Sequence, residues 1–132
     1  MKSERLYISK LYLVPASELY DGIQDEEIIF KAQDLEPKYF TPGTCFYSWE
    51  KKDSTSGYYY INEIVFSEPG LAEKEIIDEL NKVKAIVAIA NIGRKIVLHK
   101  NDYFSNLKMV PQVNSSTDRV QIKFSLSTLD VL

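Results

Sequence analysis

The chain has 132 residues and a formal charge of −3, because 19 acidic residues outnumber 16 basic ones. This balance argues against a surface that neutralises many phosphates, so sequence-specific nucleic acid binding is not expected. The length and the 45% hydrophobic fraction predict a single domain, 1–132, with its own core. One cysteine excludes an internal disulfide, and no signal sequence or membrane-length apolar run is seen. We therefore expect synthesis in a reducing cytoplasm and no membrane partner.

The first third of the chain contains two short β-favouring runs. Residues 6–14 are mostly β-formers that stop at Pro15, which predicts a first strand. Residues 17–22 are too few for a stable helix and predict a turn or a single helical turn. Residues 27–33 predict a short second strand, and the Thr-Pro-Gly sequence at 41–43 predicts a break before the next β region.

Segment 44–66 is the most informative stretch, because two aromatic, β-favouring runs flank a short polar tip. This pattern predicts a long antiparallel hairpin with its turn at 53–56 and with Trp49 opposite Tyr60. Such an arm would be about 25 Å long. That is longer than a domain of this size needs to close its own core, and it favours contact with another molecule.

The second half of the chain predicts one helix followed by further strands. Pro69 suits the first turn of a helix, and an apolar stripe at helical spacing extends it over about 69–83. The stripe consists of Leu71, Ile76, Ile77, Leu80 and Val83. Residues 85–99 predict a hairpin that turns near Gly93, with a first arm apolar enough to be buried on both faces. Residues 106–113 and 119–127 predict a last pair of strands, joined by the polar segment 114–118.

This order of elements predicts an α+β fold: a mostly antiparallel β-sandwich or barrel with one flanking helix and a long hairpin. The aromatic run within the hairpin decides which of its surfaces could be functional. Consecutive tyrosines on a strand point to opposite faces, so Tyr58 and Tyr60 do not share a core with Tyr59. Exposed aromatic side chains beside a polar tip are typical of a protein–protein contact. The predicted assembly interface consists of Trp49, Lys51, Lys52, Tyr58, Tyr59 and Tyr60.

We find no pattern that indicates catalysis, a metal or a cofactor. The only thiol, Cys45, and the only imidazole, His99, would need to lie within hydrogen-bond reach to form a reactive pair. Cys45 is instead interpreted as a small buried apolar residue, and His99 as a surface residue. The acidic run 25–27 is interpreted as a solvated face, and the isolated glycines form no phosphate-binding loop. We therefore predict a protein that is not an enzyme.

From the helix onward, the chain resembles small bacteriophage and prophage virion proteins of the tail-tube, tail-completion and head-to-tail connector kind. The resemblance lies in the order of features and covers about two thirds of the chain. These features are the aromatic hairpin 46–60, the helix 71–83, the apolar strand 85–92, the turn at Gly93, the Asn-Ser-Ser at 114–116 and the closing strand 120–126.

The resemblance implies a β-sandwich or barrel with one helix, a hairpin that reaches a neighbouring subunit, and ring assembly around a DNA channel. It implies a non-enzymatic virion protein made in the bacterial host cytoplasm, with itself and other virion proteins as partners. The expected receiving patch is the unpaired edge of strand 6–14 or that of the C-terminal strand. Two alternatives remain open. Both faces of the hairpin are buried inside one sandwich, or the protein is a monomeric α+β barrel whose aromatic residues line a pocket for a small ligand.

Overall fold

The structure is a computed structural model that describes residues 5–20, 22–55, 57–70, 73–99, 109–116, 118–129 and 132. Within these ranges the chain forms strands β1 (Leu6–Pro15), β2 (Phe46–Ser54), β3 (Gly57–Pro69), β4 (Val83–Ala90), β5 (Lys95–Leu98), β6 (Gln112–Ser115) and β7 (Arg119–Thr128), helices α1 (Asp25–Ala32) and α2 (Lys74–Asn81), and a 3-10 turn at Ala16–Glu18.

The strands form one antiparallel sheet in the order β5-β4-β1-β2-β3-β7-β6. Strand β1 joins two parts of this sheet: it pairs with β4 from Ile8 to Pro15 but with β2 only at Leu6 and Tyr7. We call β5-β4-β1 the helix-covered half and β2-β3-β7-β6 the hairpin half. The fold is therefore α+β and dominated by an antiparallel sheet, as the sequence predicted.

The main core is shared by the two halves of the sheet. Phe66 and Phe124 of the hairpin half belong to one buried cluster with Ile86 and Leu98 of the helix-covered half. Helix α2 closes this cluster with Leu80, which is 2% exposed. Burial of these apolar side chains supplies most of the driving force for folding.

Helix α1 covers the opposite face of the helix-covered half. Its Ile28 and Ala32 pack with Val14, Ala85 and Val87 in a second buried cluster. Strand β4 is consequently buried on both faces, as its nearly continuous apolar sequence predicted.

The prediction of a strand at 27–33, and with it the prediction of a single helix, is wrong. Residues 25–32 form α1, whose first turn holds three acidic side chains at the positive end of the helix dipole. Ile28 and Ala32 are one helical turn apart and both face the sheet. This contact outweighs the preference of the β-branched isoleucines for strands.

The predicted bounds of the second helix were too wide. Helix α2 covers Lys74–Asn81, whereas Pro69 ends β3 and Val83 begins β4. The stripe residues Ile76 and Leu80 pack on the main core as predicted. Leu71 lies outside the described residues.

The hairpin at 44–66 is confirmed, but its register differs from the prediction by two residues. Trp49 lies opposite Asn62, and Ser54 pairs with Gly57, so the turn is shorter than the predicted four residues. The Ser54 hydroxyl also donates to the Gly57 carbonyl oxygen at 3.0 Å. A shift of two leaves every side chain on its predicted face, because the side-chain period of a strand is two.

The remaining β predictions are confirmed in part. The hairpin at 85–99 turns near Gly93, whose φ of 89° suits glycine. Strand β7 covers the predicted segment at 119–127, but β6 begins only at Gln112 and includes Asn114 and Ser115 of the predicted link. Residues 106–108 of that predicted strand lie outside the described ranges.

Candidate assembly surface

The predicted hairpin arm is partly built into the sheet. Strand β3 pairs with β7 from Tyr60 to Pro69, which makes most of it an interior strand. Tyr60 is the residue of β3 nearest the turn that still pairs with β7. The end of the hairpin, from Lys51 to Tyr60, therefore lies at or beyond the end of the β3–β7 pairing. We call this end the hairpin tip. The part of the hairpin that projects beyond the sheet is therefore shorter than the sequence predicted.

An aromatic ladder runs along one face of the hairpin, from Trp49 into the hairpin tip. The rings of Trp49 and Tyr60 meet edge to face with centroids 5.6 Å apart, and those of Tyr60 and Tyr58 do so at 6.0 Å. The Lys51 ammonium lies 4.3 Å from the centre of the Tyr58 ring, within cation–π range. Exposure increases along the ladder, from half-buried Trp49 to Tyr58, which is 55% exposed.

The six predicted interface residues are divided between two faces. Trp49, Lys51, Tyr58 and Tyr60 share the face that continues into the main core. Lys52 and Tyr59 pair with each other across the hairpin and therefore lie on the opposite face. Lys52 also forms a 3.1 Å ion pair with Glu50 there.

A buried hydrogen-bond network supports the base of the ladder. Tyr47 donates its hydroxyl to Asn62 Oδ1 at 2.6 Å, and Asn62 Nδ2 donates to Thr128 Oγ1 at 2.9 Å. Asn62 is fully buried, so these bonds satisfy an amide that burial would otherwise leave without water. Burial raises the pKa of Tyr47 to about 12, against an opposing effect of Arg94. Sequence reasoning assigned Asn62 no role, because its partners Tyr47 and Thr128 lie on two other strands, β2 and β7.

The reactive pair considered from sequence is not formed. Cys45 is 1% exposed in the main core, and this burial raises the pKa of its thiol to about 12, which keeps it protonated and unreactive. His99 was expected at the surface, but only 12% of its side chain is exposed, and its Nδ1 lies 3.4 Å from Asp25 Oδ1. The His99 imidazole thus faces α1, whereas the Cys45 thiol lies in the main core.

The acidic run 25–27 belongs to the first turn of α1 and is only partly a solvated face. Asp25 and Glu26 are exposed, whereas half-buried Glu27 accepts a hydrogen bond from the Tyr20 hydroxyl. Across the described ranges, no three histidine, cysteine or acidic side chains are grouped as a metal site requires. Neither of the two α-helices found there is long and apolar enough to span a membrane.

A cleft of about 590 Å³ lies between β1, the loop 36–39 and α2. Its lining residues are Leu13, Pro15, Glu36, Pro37, Lys38, Tyr39, Ile76, Glu79, Leu80, Lys82 and Val83. The loop wall is fixed at Lys38, which donates its backbone N–H to the Leu11 carbonyl oxygen at 2.7 Å. The Lys38 ammonium also forms a 2.6 Å ion pair with buried Glu68 of β3. Sequence reasoning missed this cleft because its walls are far apart in the chain.

Comparisons with protein-family models, curated proteins and solved structures found no match to this chain.

Proposed function

We propose that the protein is a non-enzymatic structural protein that assembles with copies of itself through the hairpin tip. The interface residues are Trp49, Lys51, Tyr58 and Tyr60 on one face, with Lys52 and Tyr59 on the other. We further propose that this assembly is part of a bacteriophage virion. The protein would be a tail-tube, tail-completion or head-to-tail connector protein that also contacts other virion proteins.

The observation that supports assembly most strongly is the exposure gradient along the aromatic ladder. Trp49 packs against the main core, whereas Tyr58 leaves more than half of its surface in water. Tyrosine and tryptophan at such positions are typical of the residues that dominate binding energy at interfaces. A partner that covered Tyr58 would bury the exposed end of the aromatic ladder and continue the packing that begins at Trp49.

The virion assignment is supported by architecture and by the order of features along the chain. The two halves of the sheet share one core and carry flanking helices, an arrangement that we interpret as a sandwich. A hairpin projects from it at one end, as in the virion proteins that the sequence resembles. On this proposal the protein is made in the bacterial cytoplasm and ends in the virion.

The alternative of an aromatic-lined ligand pocket has less support. The cleft and two smaller cavities, which lie beside α1 and beside the start of β1, are lined by described residues other than Trp49, Tyr58 and Tyr60. The aromatic residues of the hairpin are therefore better placed to contact another chain than to enclose a small molecule.

A double substitution tests the proposal at the tip. Lys51→Ser with Tyr58→Ser removes the exposed part of the ladder and leaves Trp49 and Tyr60 in place. The matched control is Tyr20→Ser, because Tyr20 is 54% exposed on another surface. Sedimentation velocity should show loss of oligomers for the tip variant and wild-type assembly for the control. Equal assembly of all three proteins would contradict the proposal.

A shortened hairpin gives an independent test that respects the observed register. Replacing residues 53–58 with Asn-Gly closes the hairpin on the Lys52–Tyr59 pair and keeps both faces in place. Replacing 51–57 instead would join Glu50 to Tyr58 and shift the register by an odd number, so the faces would be exchanged. The 53–58 variant should fold like the wild type but fail to assemble.

A further inference from the structure

The hairpin tip and the cleft lie at opposite ends of the molecule. Strands β1 and β2 are antiparallel and meet at Leu6 and Tyr47. From that point β1 continues to the cleft at Pro15, whereas β2 continues in the opposite direction to the tip at Ser54. Strand β3 has 13 residues between the two ends, or roughly 40 Å at about 3.4 Å per residue. The tip of one chain therefore does not reach its own cleft.

We infer that the cleft receives the hairpin tip of a second copy of this chain. This inference rests on the proposed assembly function and names the surface that the tip contacts. It also replaces the receiving patches expected from sequence. Strand β7 lies between β3 and β6, and β1 pairs with β4 from Ile8 to Pro15 and with β2 at Leu6 and Tyr7, so neither strand is a free edge along its whole length.

Charge complementarity supports this occupant. Lys51 and Lys52 are exposed on opposite faces of the tip, next to exposed Asp53. Lys52 is paired with Glu50, so Lys51 is the cation of the tip without an ion-pair partner among the described residues.

Glu36 and Glu79 are exposed on two walls of the cleft. They outnumber the exposed Lys82, because the other lining lysine, Lys38, is paired with Glu68. Within the described ranges neither carboxylate has an ion-pair partner. Opposite charges arranged in this way favour one docking orientation over others.

The apolar parts of the two surfaces also match. The loop wall carries Pro37 and Tyr39, and Tyr39 is 62% exposed. Tyr58 presents an exposed ring of the kind that packs on proline and on aromatic edges. The cleft volume of about 590 Å³ is suited to a few side chains rather than a whole strand, since pockets for drug-sized ligands occupy about 300–1,000 Å³.

The cleft is already formed in a single chain. The Lys38–Glu68 ion pair fixes the loop wall to β3, and the Ala16 N–H donates to the Lys82 carbonyl oxygen at 3.0 Å, which fixes α2 to the end of β1. A preformed receiving site lowers the entropic cost of binding. Because tip and cleft are different surfaces, the contact is heterologous, and its repetition gives closed rings or open filaments.

Charge exchange between the two surfaces tests the inference. The tip variant is Lys51→Glu with Lys52→Glu, and the cleft variant is Glu36→Lys with Glu79→Lys. Each one alone brings like charges together and should weaken association at least ~10-fold. Combining all four substitutions in one chain, or mixing the two variants, restores opposite charges and should recover most of the assembly in sedimentation velocity.

A matched control separates this contact from an effect of net charge. Glu18→Lys with Glu26→Lys makes the same charge change as the cleft variant at exposed positions on another surface. This control should assemble like the wild type. Thermal unfolding first shows that each variant is folded. Equal weakening of association by the control and by the cleft variant would then overturn the inference. An absence of recovery in the chain with all four substitutions would also overturn it.

The outcomes distinguish this inference from the proposed function. If Lys51→Ser with Tyr58→Ser abolishes assembly while the cleft variant assembles normally, the tip binds elsewhere and only the inference fails. If neither variant changes assembly, the proposed function fails as well. Recovery on mixing supports both, because it requires the tip of one variant to meet the cleft of the other.

Discussion

The two halves of the sheet differ in how many of their faces are buried. In the helix-covered half, α1 packs on one face and the main core on the other, so consecutive residues of β4 are buried. In the hairpin half, one face joins the main core and the other carries partly exposed residues such as Glu63 and Lys123. The helix-covered half is therefore enclosed on both faces, whereas the hairpin half keeps one face partly exposed.

The largest expected effects come from the core that the halves share. Ile64→Ala in the hairpin half, Ile86→Ala in the helix-covered half and Leu80→Ala in α2 should each lower the free energy of unfolding by about 2–5 kcal/mol. All three side chains are 2% exposed or less. Urea unfolding measures this loss. A loss below about 1 kcal/mol for Leu80→Ala would show that α2 is peripheral.

A matched pair of valines tests the difference between the halves directly. Val87 packs under α1 and is 2% exposed, whereas Val65 lies on the partly exposed face of the hairpin half. Val87→Ala should cost about 1.5–3 kcal/mol, and Val65→Ala less than about 1 kcal/mol. Equal losses in urea unfolding would mean that the outer face of the hairpin half is also covered.

The buried network at the base of the ladder should contribute less than the core. Asn62→Ala leaves the Tyr47 hydroxyl and Thr128 without this partner, which should cost about 1–3 kcal/mol. Thermal unfolding measures the loss. If Asn62→Ala is as stable as the wild type, these bonds do not hold the root of the hairpin.

Alkaline pH should also destabilise the folded chain, through two buried groups at the root of the hairpin. Burial raises the pKa of the Cys45 thiol from 9.0 and that of the Tyr47 hydroxyl from 10.0, each to about 12. Between these values the unfolded chain loses protons that the folded chain retains, so the free energy of unfolding falls as pH rises. Cys45→Ala should flatten this fall between about pH 9 and 12. An unchanged slope would contradict the assignment.

The sequence predicted the hairpin half better than the helix-covered half, for a physical reason. The alternation of residues in 44–66 predicts one buried face. The predicted faces are correct although the predicted register is not, because the two registers differ by an even number of residues. Residues 27–33 carry both a β-branched preference and a helical i, i+4 pair, and only packing against the sheet decides between strand and helix. The position of Asn62 and the cleft at Tyr39 depend on contacts between distant segments, which no local pattern encodes.

The proposal that the protein assembles through the hairpin tip is tested most directly by the mass of the wild-type protein, measured over a series of concentrations. Native mass spectrometry and sedimentation velocity should show growth from monomer to defined multimers, with rings or filaments in electron microscopy. Trp49 is the only tryptophan and lies at the base of the ladder, so its fluorescence should shift to shorter wavelength as the multimers form. A monomer at every concentration, with unchanged Trp49 emission, would contradict assembly through the hairpin tip.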